Sequence, residues 1–151
     1  MAASRTAYAK RAARPHGAAP AALVGVALLA TGLLSGCGTP GVRQDDARAA
    51  VTGFEKALAA KDFAGVCSRL APQTREEVED SEGKGCADAV PGLSLPGVGS
   101  PVRVTVYGRQ AQVVGPGDTL FLSQFDHGWK VVAAGCEPRQ GQPYKCTVKG
   151  G

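Results

Sequence analysis

Few side chains in this chain are able to do chemistry. Five cysteines stand at Cys37, Cys67, Cys86, Cys136 and Cys146. A thiol can act as a nucleophile, a zinc ligand, half of a disulfide or an attachment point for lipid. Acid–base work could fall to His127, Tyr107 or Asp118. His127 lies within Asp126-His127-Gly128, a hairpin-turn sequence, so an exposed ring is expected there in place of a general base. Asp118 follows Pro116-Gly117 and reads as a turn residue whose short carboxylate bonds the local backbone. Tyr107 ends a run of alternating valines on the face opposite them; it either caps a sheet edge or offers its hydroxyl to a ligand. Trp129 alternates with Val131 and Ala133, a core-packing pattern. The sequence holds no G-x-S-x-G, no glycine-rich phosphate loop, no H-E-x-x-H and no carboxylate pair that spacing places on one face. No cofactor is called for. The Glu76, Glu77 and Glu79 cluster reads as a solvated helix face, since no calcium-loop spacing accompanies it.

Cys37 differs from the other thiols in its setting. Arg5, Lys10, Arg11 and Arg14 form a basic stretch without acidic residues. An apolar run from Ala21 to Leu34 follows, interrupted by Gly25, Thr31 and Gly32, and is shorter than the ~20 residues a spanning helix needs. Leu34-Ser35-Gly36-Cys37 then resembles a bacterial lipobox. The resemblance implies a lipoprotein signal peptide over residues 1–36, cleavage before Cys37 and a diacylglyceryl group on its sulfur. Two acyl chains give stable membrane attachment at roughly 0.8 kcal/mol per buried CH₂, so affinity for the membrane asks nothing of the protein surface. An uncleaved membrane anchor is the competing reading, and it too places the remainder outside the cytoplasm.

The leader also accounts for the charge. The whole chain carries 17 basic and 13 acidic residues, but four of the basic ones are those in the leader. From Cys37 onward the two signs balance and intersperse. Nucleic-acid binding therefore loses its electrostatic warrant.

With Cys37 set aside, Cys67, Cys86, Cys136 and Cys146 remain for pairing. In a small exported domain such a set reads as two disulfides. Three connectivities are open; nearness in sequence favours Cys67–Cys86 and Cys136–Cys146. Zinc is disfavoured because the close C-x₂₋₄-C pairs of a structural zinc site are missing.

The elements that must position these groups follow from periodicity. Residues 37–44 read as a short lipidated tether and 45–151 as one domain. Asp45 or Asp46 can cap a helix carrying Ala47, Val51, Phe54 and Leu58 on one face. Asp62 can cap a second helix with Phe63, Val66, Cys67 and Leu70, and Pro72 suits the first turn of a third, Thr74 to Asp80. One more helical turn is expected at Cys86–Val90. Pro91 to Pro101 lacks periodicity. Beyond it the period becomes two: Val102 to Tyr107, Ala111 to Val114, Thr119 to Phe125, Trp129 to Ala134 and Pro143 to Val148 read as strands. Short turns between them imply an antiparallel meander. The expected class is α+β, N-terminal helices packed on a curved antiparallel sheet.

Val51-x-x-Phe54-x-x-Ala57-Leu58-Ala59-Ala60-Lys61-Asp62-Phe63, then Cys67 and Leu70-Ala71-Pro72, resembles the opening of nuclear-transport-factor-like domains. Gly117-Asp118-Thr119-Leu120-Phe121-Leu122 and Gly128-Trp129-Lys130-Val131 look like strands of that fold. The chain is similar, over Asp45 to Cys136, to small actinobacterial lipoproteins of this cone-shaped architecture. The resemblance implies a sheet wrapped around a helix, with an apolar pocket that Phe54, Tyr107, Phe121 and Trp129 would line. Anchor, staples and the missing catalytic groups on one side, and the enzymes among such domains on the other, leave two functional readings. One is a lipid-anchored, extracytoplasmic binding or accessory domain whose partner is a small apolar ligand or an envelope protein. The other is a small isomerase or cyclase-like enzyme, which would need an Asp, Tyr or His in the pocket.

Overall fold

A computed structural model describes residues 39–101 and 103–150. They belong to one compact unit. The leader, Cys37 and Val102 lie outside the described residues.

Helix α1 spans Pro40–Ala59. Its start lies five positions before the Asp45 cap expected from the sequence, inside the stretch read as a tether. The reason is local: Pro40 occupies the first helical turn, where its fixed φ and missing N–H cost nothing. Ala47, Val51, Phe54 and Ala57 form its buried stripe, with Leu58 packed at the margin. The helix stops where Lys61 takes a positive φ of 55°. Asp62 then starts α2, Phe63–Arg69, by accepting the Gly65 N–H at 2.9 Å. Pro72 opens α3, Pro72–Glu82, and Gly83 closes it in the left-handed region at φ 64°. A short α4, Cys86–Ala89, follows, its first N–H donating to Glu79 at 3.3 Å, and a 3₁₀ turn continues through Leu93. The sulfurs of Cys67 and Cys86 are bonded and tie α2 to α4.

Five strands follow: β1 Arg103–Tyr107, β2 Gln110–Val114, β3 Thr119–Phe125, β4 Gly128–Arg139 and β5 Gln142–Lys149. They pair in sequence order as an antiparallel meander. The molecule is α+β. Cross-strand register sorts the two faces: Val104 opposes Val113, Val113 opposes Leu120, and Ala111 opposes Leu122, which in turn opposes Val131. These side chains meet Val51, Phe54 and Val66 from the helices in a single core. Full burial of each large apolar side chain contributes about 1.5–3 kcal/mol. Register shifts interrupt the ladder at Phe121/Leu122 and at Glu137/Arg139; such bulges bend a strand and raise its twist.

Strand β4 departs from the sequence reading. It runs past Ala134, the end expected from the sequence, to Arg139, with Pro138 next to last. Cys136 and Cys146 are direct cross-strand partners and are bonded. The first residues of β4 extend beyond β5 and would leave an open edge. Leu70 and Ala71 cover it: the Ala71 N–H donates to the Val131 carbonyl at 2.8 Å, and Thr74 Oγ1 donates to the Val132 carbonyl at 3.2 Å. A covered edge cannot template pairing with another chain.

Candidate functional site

The four residues expected to line one pocket are divided by the sheet. Phe54 is 1% exposed and Trp129 7% exposed, both within the core on the helix-covered face. Phe121 opposes Gln112 and Ala133, and Tyr107 opposes Gln110, on the other face. They do not converge, because alternation along a strand sends neighbours to opposite sides. Phe121 instead meets the Tyr144 ring edge-on at 5.1 Å, and the Tyr144 hydroxyl accepts from Gln112 Nε2 at 3.2 Å. His127 stands exposed in the β3–β4 turn.

Two depressions among the described residues are shallow. One of about 460 Å³ follows the outer face of α1 along Asp45, Arg48, Ala49, Thr52, Gly53 and Lys56. The other, about 320 Å³, lies between the start of α3 and strands β3 to β5, near Thr74, Ser123, Phe125 and Lys149. Neither includes Phe54, Tyr107, Phe121 or Trp129.

What the fold does assemble is a carboxylate pair that spacing had not revealed. Asp118 is more than a turn residue. Its backbone carbonyl accepts from Gly115 within the β2–β3 turn, but its side chain is buried and reaches across the sheet. Oδ1 accepts the Thr119 N–H at 2.6 Å and the Cys136 N–H at 2.7 Å, while Oδ2 accepts the Gly135 N–H at 2.8 Å. Gly135 has φ 66°, and a methyl there would meet Thr147. Glycine is what lets β4 offer two successive N–H groups to one carboxylate.

Glu55 on α1 faces the same end. Its Oε2 accepts the Val98 N–H at 2.9 Å, and its Oε1 is buried without a partner among the described residues. Val98 is fully buried despite lying in the aperiodic segment. Its carbonyl accepts the Gly117 N–H at 3.3 Å, and a methyl on Gly115 or Gly117 would overlap the carbonyls of that loop. A connected latch results, running from α1 through the loop and the β2–β3 turn to β4. Burial pushes both carboxyl groups above their ordinary pKa, Glu55 in spite of the Val98 and Gly99 N–H groups and with a further push from the Asp118 charge. For Asp118 the N–H groups of Gly135, Cys136 and Thr119 oppose the effect of burial without cancelling it. Chemically the pair keeps its protons to a higher pH than ordinary carboxyl groups do. Apart from Glu55 Oε1, its oxygens are committed to backbone donors.

The opposite end is held by a cation. The Arg43 guanidinium lies 5.8 Å from the Trp129 ring centroid and donates to the Gly108 carbonyl and to Gln124 Oε1. A guanidinium over an aromatic face is worth about 0.5–2 kcal/mol. Arg109 donates to the Gln124 carbonyl at 2.7 Å. The start of α1 is thereby fastened to the β1–β2 and β3–β4 ends of the sheet.

Comparisons with protein-family models, with curated proteins and with solved structures each found no match to this chain.

Two disulfides fit an oxidising compartment outside the cytoplasm. No helix among the described residues is long and apolar enough to cross a membrane.

Proposed function

We propose that this chain is a lipid-anchored extracytoplasmic domain, held on the outer face of the cell membrane through Cys37, that works by binding. The lipobox-like tetrapeptide ending at Cys37 carries this reading, and the two disulfides support an exported location. The helices-then-meander order is compatible with a nuclear-transport-factor-like cone. The interior between helices and sheet is filled by Phe54, Leu120, Leu122 and their neighbours. This favours an envelope protein met at the surface over an apolar ligand enclosed in the cone. An isomerase or cyclase would require a pocket ending on a free acid or base. Tyr107 and His127 stand exposed, and Glu55 and Asp118 hold the backbone.

In a host that processes lipoproteins, the mature protein is expected to start at Cys37 and to carry the mass of a diacylglyceryl group there. Cys37→Ser should abolish lipid labelling and release the domain from the membrane fraction. Unchanged labelling in that variant would remove the anchor reading. Native mass spectrometry of the purified protein then separates the two modes of binding: a co-purifying polypeptide supports the surface mode, and a bound small molecule overturns it.

A further inference from the structure

Among the described residues, three large apolar side chains stand exposed: Val42 at 52%, Tyr107 at 65% and Phe125 at 38%. They come from α1, β1 and β3, distant in sequence, yet they share one end of the domain. Hydrogen bonds fix this. Arg43, next to Val42, donates to the carbonyl of Gly108, next to Tyr107, and to the side chain of Gln124, next to Phe125. Topology agrees: β1 and β3 finish at this end, and β2 and β4 leave from it. The β2–β3 and β4–β5 turns lie at the other end. A single exposed apolar residue carries no message. Three at one end, from three different elements, are an exposure of the kind that meets another surface.

The course of the chain says which surface. Helix α1 begins at Pro40, at this same end. Cys37 precedes Pro40 by three residues, and three residue steps span no more than about 11 Å even when fully extended. Whatever conformation the intervening residues take, lipid on Cys37 draws this rim to the bilayer. Its chemistry suits that place: aromatic rings partition to the headgroup region, and Val42 has an apolar boundary to enter. Arg43 and Arg109 stand at this end but donate to Gly108 and Gln124, while Asp126 sits in the same turn region and Asp45 and Asp46 follow on α1. The charges nearly balance, so the apolar side chains must carry the contact.

We infer that Val42, Tyr107 and Phe125 form a membrane-contacting rim that fixes the orientation of the domain on the bilayer. The inference rests on the lipidation of Cys37 proposed above. The lipid supplies affinity; the rim sets which way the domain faces.

Hydrogen exchange of the lipidated full-length mature protein on phosphatidylcholine vesicles, with and without phosphatidylglycerol, tests it. The probe is the vesicle itself. Amides of residues 107–110 and 124–128 should exchange about fivefold more slowly or better in the wild type than in a Val42→Ser/Tyr107→Ser/Phe125→Ser variant. The turn at 140–141 should be equally fast in both, and anionic lipid should change little. Both proteins should float with the vesicles and carry the same lipid mass. Equal exchange at the rim, with lipid on Cys37 intact, overturns the inference and leaves the anchor standing. Rim protection that appears without vesicles and grows with protein concentration also overturns it, since a second copy is then the occupant. Absence of lipid on Cys37 removes the anchor and the inference together, and the intact mass identifies that case. Each serine variant replaces an already exposed side chain, and unchanged exchange in the core strands reports that the fold survives.

Discussion

The Asp118 carboxylate joins the β2–β3 turn to strand β4. Its place after Pro116-Gly117 marks the turn, and the Gly115 N–H does bond its carbonyl. The three donors its carboxylate satisfies come partly from β4, 17 and 18 positions away. An amide in its place keeps one acceptor and presents N–H₂ to a backbone donor. Asp118→Asn should therefore cost about 1–3 kcal/mol of stability at neutral pH, the usual penalty for an unsatisfied buried group. A urea midpoint equal to that of the wild type would show the latch to be dispensable. The same residues set a pH response. Glu55 and Asp118 both titrate above their ordinary values in the folded chain. The native state thus binds protons more tightly than the unfolded state. Their contribution is fully present below the ordinary carboxylate pKa and is lost as pH rises through the raised folded values. Urea midpoints should fall over that window on going toward neutrality, and Glu55→Gln combined with Asp118→Asn should flatten the fall.

At the scale of elements, the two disulfides act on different joints. Cys67–Cys86 closes a loop of sequence separation 19 between short helices, and Cys136–Cys146 one of separation 10 within a hairpin. Chain-entropy reasoning assigns each about 3 kcal/mol. Short helices are marginal on their own, so losing Cys67–Cys86 should loosen α2 and α4 locally, whereas β4–β5 retains its ladder. Replacing Cys67 and Cys86 by Ala should lower the midpoint and raise exchange in α2 and α4 ahead of the sheet. Uniform acceleration throughout the domain would contradict that division. These elements were largely legible in the sequence. Asp62 and Pro72 announce the starts of α2 and α3, and the apolar alternation announces β1 to β3. What escaped was long-range. Val98 is buried in a segment with no period, because the Gly117 N–H and the Glu55 carboxylate hold its backbone there and its neighbours contribute no pattern. Strand β4 runs beyond Ala134, where the expected strand stops, because a positive φ at Gly135 and a strand-end position for Pro138 accommodate both residues. The proposed pocket failed on parity: Leu120 and Leu122 take the core face, which sends Phe121 to the other.

The whole molecule has two ends of different character, and their assignment decides what a partner would see. Helix α1 runs from the rim, where Arg43 clasps Gly108 and Gln124, to the far end, where Glu55 holds Val98. The strands alternate between the same two ends, so the turn at 126–127 belongs to the rim and the turn at 140–141 to the far end. If Cys37 is embedded as proposed, the end bearing the β4–β5 hairpin, which Cys136–Cys146 stiffens and which carries Arg139 and Lys145 exposed, faces away from the bilayer. On that proposal it is the face offered to an envelope partner. A short epitope inserted between Gln140 and Gly141 should be bound by antibody on vesicles bearing the lipidated protein on their outer surface. The same epitope inserted between Asp126 and His127 should be bound only after detergent. Both turns are exposed in the isolated domain, so equal binding to the unlipidated Cys37→Ser form is the control for folding. Equal accessibility of both insertions on vesicles would mean that the domain tumbles about its anchor, and the hairpin would lose its claim to be the presented face.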